Sequence, residues 1–78
     1  MDRDELARYE ARAEAAYNAM YDAVPHNVKD CYEDSRLSLA HAIKIAEALG
    51  LKGEVERLTK RAEHIDAVYN HQFRHIGR

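Results

Sequence analysis

The chain has little of what most functional signatures are written in. It contains a single cysteine, a single proline, three glycines, one phenylalanine and no tryptophan among 78 residues. One thiol, Cys31, cannot close an internal disulfide, which points to a reducing compartment, and we expect a cytoplasmic protein. No uncharged run exceeds seven residues. That is far short of the ~20 apolar residues a membrane-spanning helix needs, so no membrane role is expected. The opening Met-Asp-Arg-Asp-Glu carries no apolar stretch, and no secretory signal is expected from it. Glycine-rich phosphate loops, paired cysteines and nucleophile elbows are absent. Ser35 and Ser38 sit mid-helix with no tight turn around them, and Cys31 reads as a small hydrophobe at the edge of an apolar stripe. The expectation is a protein that is not an enzyme and needs no cofactor.

What is present is helical. With 46% hydrophobic and 33% charged residues the chain is neither disordered nor membranous. Its two interior interruptions lie at Pro25 and at Gly50 to Gly53. Proline disfavours helix at Val24, Asn27 suits an N-cap, and Gly50 falls where a left-handed C′ residue belongs. Between these breaks the apolar residues recur every three or four positions: Leu6, Tyr9, Ala13, Ala16, Met20 and Ala23; then Val28, Tyr32, Ser35, Leu39, Ala42, Ala46 and Leu49. The last set is Leu51, Val55, Leu58, Ala62, Ile65, Tyr69, Gln72 and Ile76, with Phe73 beside Gln72. Side chains at those spacings share one stripe of a helix, and no segment alternates with period two. The fold class is all-α: one domain over 1–78, with helices at about 2–24, 27–49 and 53–76. The short second link folds the last two helices into an antiparallel hairpin. A domain of this size buries a smaller share of its surface than a larger one does and is marginal alone. Self-association of the three-helix bundle into a homodimer is therefore expected.

The middle helix carries apolar residues on more than one side. Leu37, His41, Ile45 and Ala48 fall away from the main stripe. Two readings account for them: a central helix flanked on both sides by its neighbours, or a symmetric dimer interface made by these four residues.

Charge is also uneven. Residues 1–34 carry a net −5, residues 35–50 +1 and residues 51–78 +2. One arc of the third helix gathers Arg57, Lys60, Arg61, His64, His71, Arg74 and His75. Such a strip suits an acidic protein partner or nucleic-acid phosphates, or else is simply solvated or pairs with the acidic first half of the same chain or of a second subunit. Overall acidity and the lack of aromatic residues within the strip weigh against nucleic acid. His71 and His75 are one helical turn apart and able to share a divalent ion, but a third ligand is lacking, so the histidines are read first as a titratable surface. The function expected from these features is a small non-catalytic interaction or regulatory module. Nucleic-acid binding and histidine-mediated metal binding are the alternatives.

Overall fold

A computed structural model of the chain describes residues 2–73, and all its regular elements are helical. Helix α1 spans Arg3–Asp22, α2 spans Val28–Ala48 and α3 spans Lys52–Val68. They form an elongated bundle of 41 × 18 × 13 Å. The chain runs up, down and up, so α1 and α3 are parallel and α2 lies antiparallel to both. None of the described helices is long and apolar enough to cross a membrane.

Local chemistry places the ends. Asp2 caps α1: its Oδ1 accepts the Glu5 amide at 2.8 Å, satisfying one of the four amides a helix start leaves bare. Pro25 opens a single 3-10 turn, Pro25–Asn27, that carries the chain from α1 into α2. Asn27 occupies the N-cap position of α2, yet its side chain makes no capping bond, because the 3-10 turn already runs into the helix. At the other end of α2, Gly50 adopts φ +72°, and the Leu51 amide donates to Ala46 O at 2.9 Å while the Gly50 amide donates to Glu47 O at 3.1 Å. Those two bonds are the Schellman closure. Helix α3 then begins at Lys52, one residue before the expected start at 53, with Leu51 as its N-cap.

The closest backbone approach is between α1 and α2. Small side chains permit it: Ala13, Ala42, Ala46 and Ser35 are fully buried, with Ala16 and Ser38 nearly so. The hydroxyl of Ser35 donates to the carbonyl of Ala13 on α1 at 2.9 Å, a cross-helix bond in a site without solvent. Larger residues fill the space toward α3, where Met20, Leu39, Leu58 and Ile65 are at most 1% exposed.

Two expectations about packing are corrected. Ile45, placed on a dimer face with Leu37, is 3% exposed and belongs to the core. At about 100° per residue it lies about 80° round α2 from Leu37, between His41 and Ser35. Both of those touch α1, through Tyr9 and the Ala13 carbonyl. Helix α1 therefore covers Ile45, as the central-helix reading requires. The second correction concerns the end of α3. Residues Tyr69–Phe73 form a π-helical turn, which needs more residues per turn than an α-helix. Of the two residues expected side by side at this point of the stripe, Phe73 is buried as expected and Gln72 is exposed.

Because Gly50 alone among the described residues adopts positive φ, Gly50→Ala should lower stability by about 1 kcal/mol although a methyl group would meet no atom within 4 Å. Gly53→Ala, in a helix with equal room, should be neutral or stabilising. Urea titrations of the two variants provide the comparison.

Candidate functional site

The cationic strip of α3 is not a single outward face. Arg57 and Arg61 turn toward α1, whose acidic residues recur at the same four-residue spacing. Arg57 donates from Nη1 and Nη2 to Glu10 Oε2 and Oε1 at 2.6 and 2.9 Å, and it also bonds Glu54 on its own helix. One turn further along, Arg61 donates from Nε and Nη2 to Glu14 Oε2 and Oε1 at 2.8 and 2.6 Å. Both contacts are two-pronged, the strongest arrangement of these groups. The guanidinium of Arg61 also lies 4.9 Å from the centre of the Tyr17 ring, within cation–π range.

Aromatic residues continue the α1–α3 seam. Tyr17 packs edge-on to His64 at 6.4 Å between ring centres, and its hydroxyl is 3.1 Å from that of Tyr21. Tyr21 is 52% exposed and meets Phe73 edge-on at 5.1 Å. Helices α1 and α3 thus meet through long side chains, while their backbones stay apart.

Electrostatics follow these contacts. Arg57 bonding holds the Glu10 carboxyl below the usual carboxylate range, against the opposing effect of burial. Arg57 and Arg61 are shifted up, chiefly by their bonds to Glu10 and Glu14. The Tyr17 phenol is raised, first by its bond to the Tyr21 hydroxyl and then by burial. A second polar knot joins α2 to α3. Tyr32 donates to Asp66 Oδ1 at 2.6 Å, Arg36 Nε donates to the same oxygen at 2.8 Å, and Tyr32 stacks on Tyr69 at 3.9 Å. Burial, and then Asp66, push the Tyr32 phenol up.

The remaining strip residues differ in their surroundings. Lys60 makes a loose pair with Glu56 at 3.2 Å, and His64 and His71 are exposed. Arg74 and His75 lie outside the described residues, and so does any site shared by His71 and His75. Among the described residues no group of three or more His, Cys, Asp or Glu side chains is placed to hold a metal ion. For a phosphate backbone or an acidic protein surface, the two arginines best suited to two-pronged contacts are already bonded within the chain.

The outward side of α2 presents a different chemistry. Leu37 is 60% exposed at mid-helix. His41 is exposed too, although Tyr9 stacks on one face of its ring at 4.9 Å, and Ala48 is exposed. One turn from Leu37, Ala40 lines a groove of about 410 Å³ between α2 and α3. Ile43, Thr59 and Ala62 continue its lining, the Arg36–Asp66 pair lies at it, and Lys44, Glu47 and Glu63 border it. The groove is mostly apolar and open to solvent. Sequence reasoning found Leu37 but not the groove, whose walls come from two helices joined by their packing. Comparison with protein-family models, curated proteins and solved structures gives no match to this chain.

The seam makes two predictions. Arg61→Met should cost about 1 kcal/mol of stability, and Lys60→Met less than about 0.5, because only the first breaks a two-pronged, partly enclosed contact. Paired urea titrations measure the difference. Stability should also form a plateau in pH. A depressed Glu10 contributes stability above the unfolded carboxyl value of about 4.3 and loses it as pH falls through the lower folded value. Raised Tyr17 and Tyr32 contribute below the usual phenol value of about 10 and lose it as pH rises through their higher folded values. Thermal melts should therefore be flat from about pH 5 to about pH 9 and fall on both sides. Glu10→Gln should flatten the acid limb.

Proposed function

We propose that this chain is a non-catalytic protein–protein interaction module, and that the outward side of α2, with the α2–α3 groove beside it, is its contact surface. The observation that carries this reading is Leu37: a large apolar side chain 60% exposed in the middle of a helix, one turn from the lining of an apolar groove. An exposed leucine next to an apolar groove is the chemistry with which amphipathic helices dock. Elsewhere the polar chemistry serves the fold. Ser35 is fully buried and spends its hydroxyl on the Ala13 carbonyl, so it is a packing link and not a nucleophile. Arg57 and Arg61 hold α1 against α3, which weakens the case for the strip as a nucleic-acid or acidic-protein site. The half-buried lone thiol of Cys31 suits the cytoplasm.

The test uses the whole chain as bait. Leu37→Asp should leave the melting temperature nearly unchanged, since exposed positions away from special contacts shift stability by at most about 0.5 kcal/mol. It should nevertheless abolish binding of the proteins that the wild type captures. Lys60→Glu, on the α3 strip, should retain them. Capture unaffected by Leu37→Asp, or lost with Lys60→Glu alone, overturns the assignment.

A further inference from the structure

We infer that the partner of the α2 face is a second copy of the same chain, paired antiparallel about a two-fold axis that passes between Leu37 and Ala40. This rests on the reading of that face as a contact surface and names its occupant.

Lys29, Glu33, Leu37, Ala40, Lys44 and Glu47 follow one another at spacings of four, four, three, four and three. At about 100° per residue they fall within an arc of about 80°, a single strip about 27 Å long. All six are exposed. The two central residues are apolar, and charges of alternating sign flank them: lysine then glutamate before Leu37, and lysine then glutamate after Ala40. Lys29 and Glu33 make only a loose pair at 3.8 Å, and among the described residues Lys44 and Glu47 have no ion-pair partner.

That order is complementary to its own reverse. Laid antiparallel on a second copy, Lys29 meets Glu47, Glu33 meets Lys44, and Leu37 meets Ala40. The levels agree to within one residue, about 1.5 Å along the axis. Two-fold symmetry repeats every contact, so four opposite-charge pairs bracket a centre of two leucines over two alanines. A small residue facing a leucine gives the knob its hole. A parallel alignment instead sets lysine against lysine and glutamate against glutamate, so charge alone selects the antiparallel, isologous arrangement. The strip is short compared with the ~800 Å² per partner of a stable complex, so the dimer should be weak and salt-sensitive.

Sedimentation equilibrium over about 5 to about 500 µM, the range of weak association, reads the mass directly. The wild type should move from 9.0 kDa toward twice that value. Glu33→Lys and Lys44→Glu each set like charges against each other twice and should raise the dissociation constant about ten-fold or more. The double variant Glu33→Lys/Lys44→Glu restores opposite signs and should recover most of that loss, a rescue that a merely structural effect would not give. Leu37→Asp should hold the chain monomeric, with circular dichroism confirming that every variant stays helical. Wild-type protein that remains at 9.0 kDa throughout overturns the inference. So does a dimer indifferent to all the variants, since association then runs through another face. Weakening by the single reversals that the double variant fails to repair overturns the pairing as well. None of these outcomes decides the broader reading of the α2 face, which the Leu37→Asp capture comparison tests separately.

Discussion

The close approach of α1 and α2 sets the terms for everything else in this bundle. Ala13, Ala16, Ala42, Ala46, Ser35 and Ser38 let the two backbones come together, and the Ser35 hydroxyl bonded to the Ala13 carbonyl fixes where along their length they meet. A buried hydroxyl left unpaired would be costly, so this bond acts as a register pin as much as a source of stability. With α1 drawn so tightly onto α2, the third helix packs on α2 through leucine and isoleucine and reaches α1 only with long side chains. Arginine is well suited to that span, because its planar fork and long stem deliver two bonds at a distance. Arg57 and Arg61 of α3 are therefore consumed by the architecture that α1 and α2 impose.

Much of the fold was legible in the sequence, for identifiable reasons. Pro25 and Gly50 interrupt otherwise continuous helical patterns, and each acts locally: one removes an amide donor, the other adopts a backbone angle that other residues avoid. Apolar spacing located Leu39, Leu58 and Ile65 in the core because a residue's face follows from counting along a helix. What escaped depended on neighbours. Ile45 and Leu37 are about 80° apart on α2, and only the position of α1 decides that one is covered and the other bare. Gln72, expected on the stripe beside Phe73, is exposed, and nothing in the apolar spacing signals the π-helical turn in which both sit.

The candidate surfaces divided along the same line. Leu37 stood out because a leucine away from the main stripe is visible in one helix alone. The particular partners of Arg57 and Arg61 could not be read because Glu10 and Glu14 are 47 residues away in sequence. The acidic bias of the first 34 residues was the available hint, and pairing within the chain was one of the readings it allowed. The groove of Ala40, Ile43, Thr59 and Ala62 had no sequence signal, since neither helix contains it. A surface composed by two elements becomes visible only when their packing is known.

Matched four-residue spacing on α1 and α3 has a mechanical corollary. Sliding α3 forward by one turn would set Arg57 beside Glu14 and leave Arg61 opposite Asn18. Sliding it back would set Arg61 beside Glu10 and leave Arg57 opposite Leu6. Either displacement forfeits one of the two rungs, so only one longitudinal setting engages both teeth. Across a seam where the two backbones stay apart, these rungs work as a detent with one preferred notch.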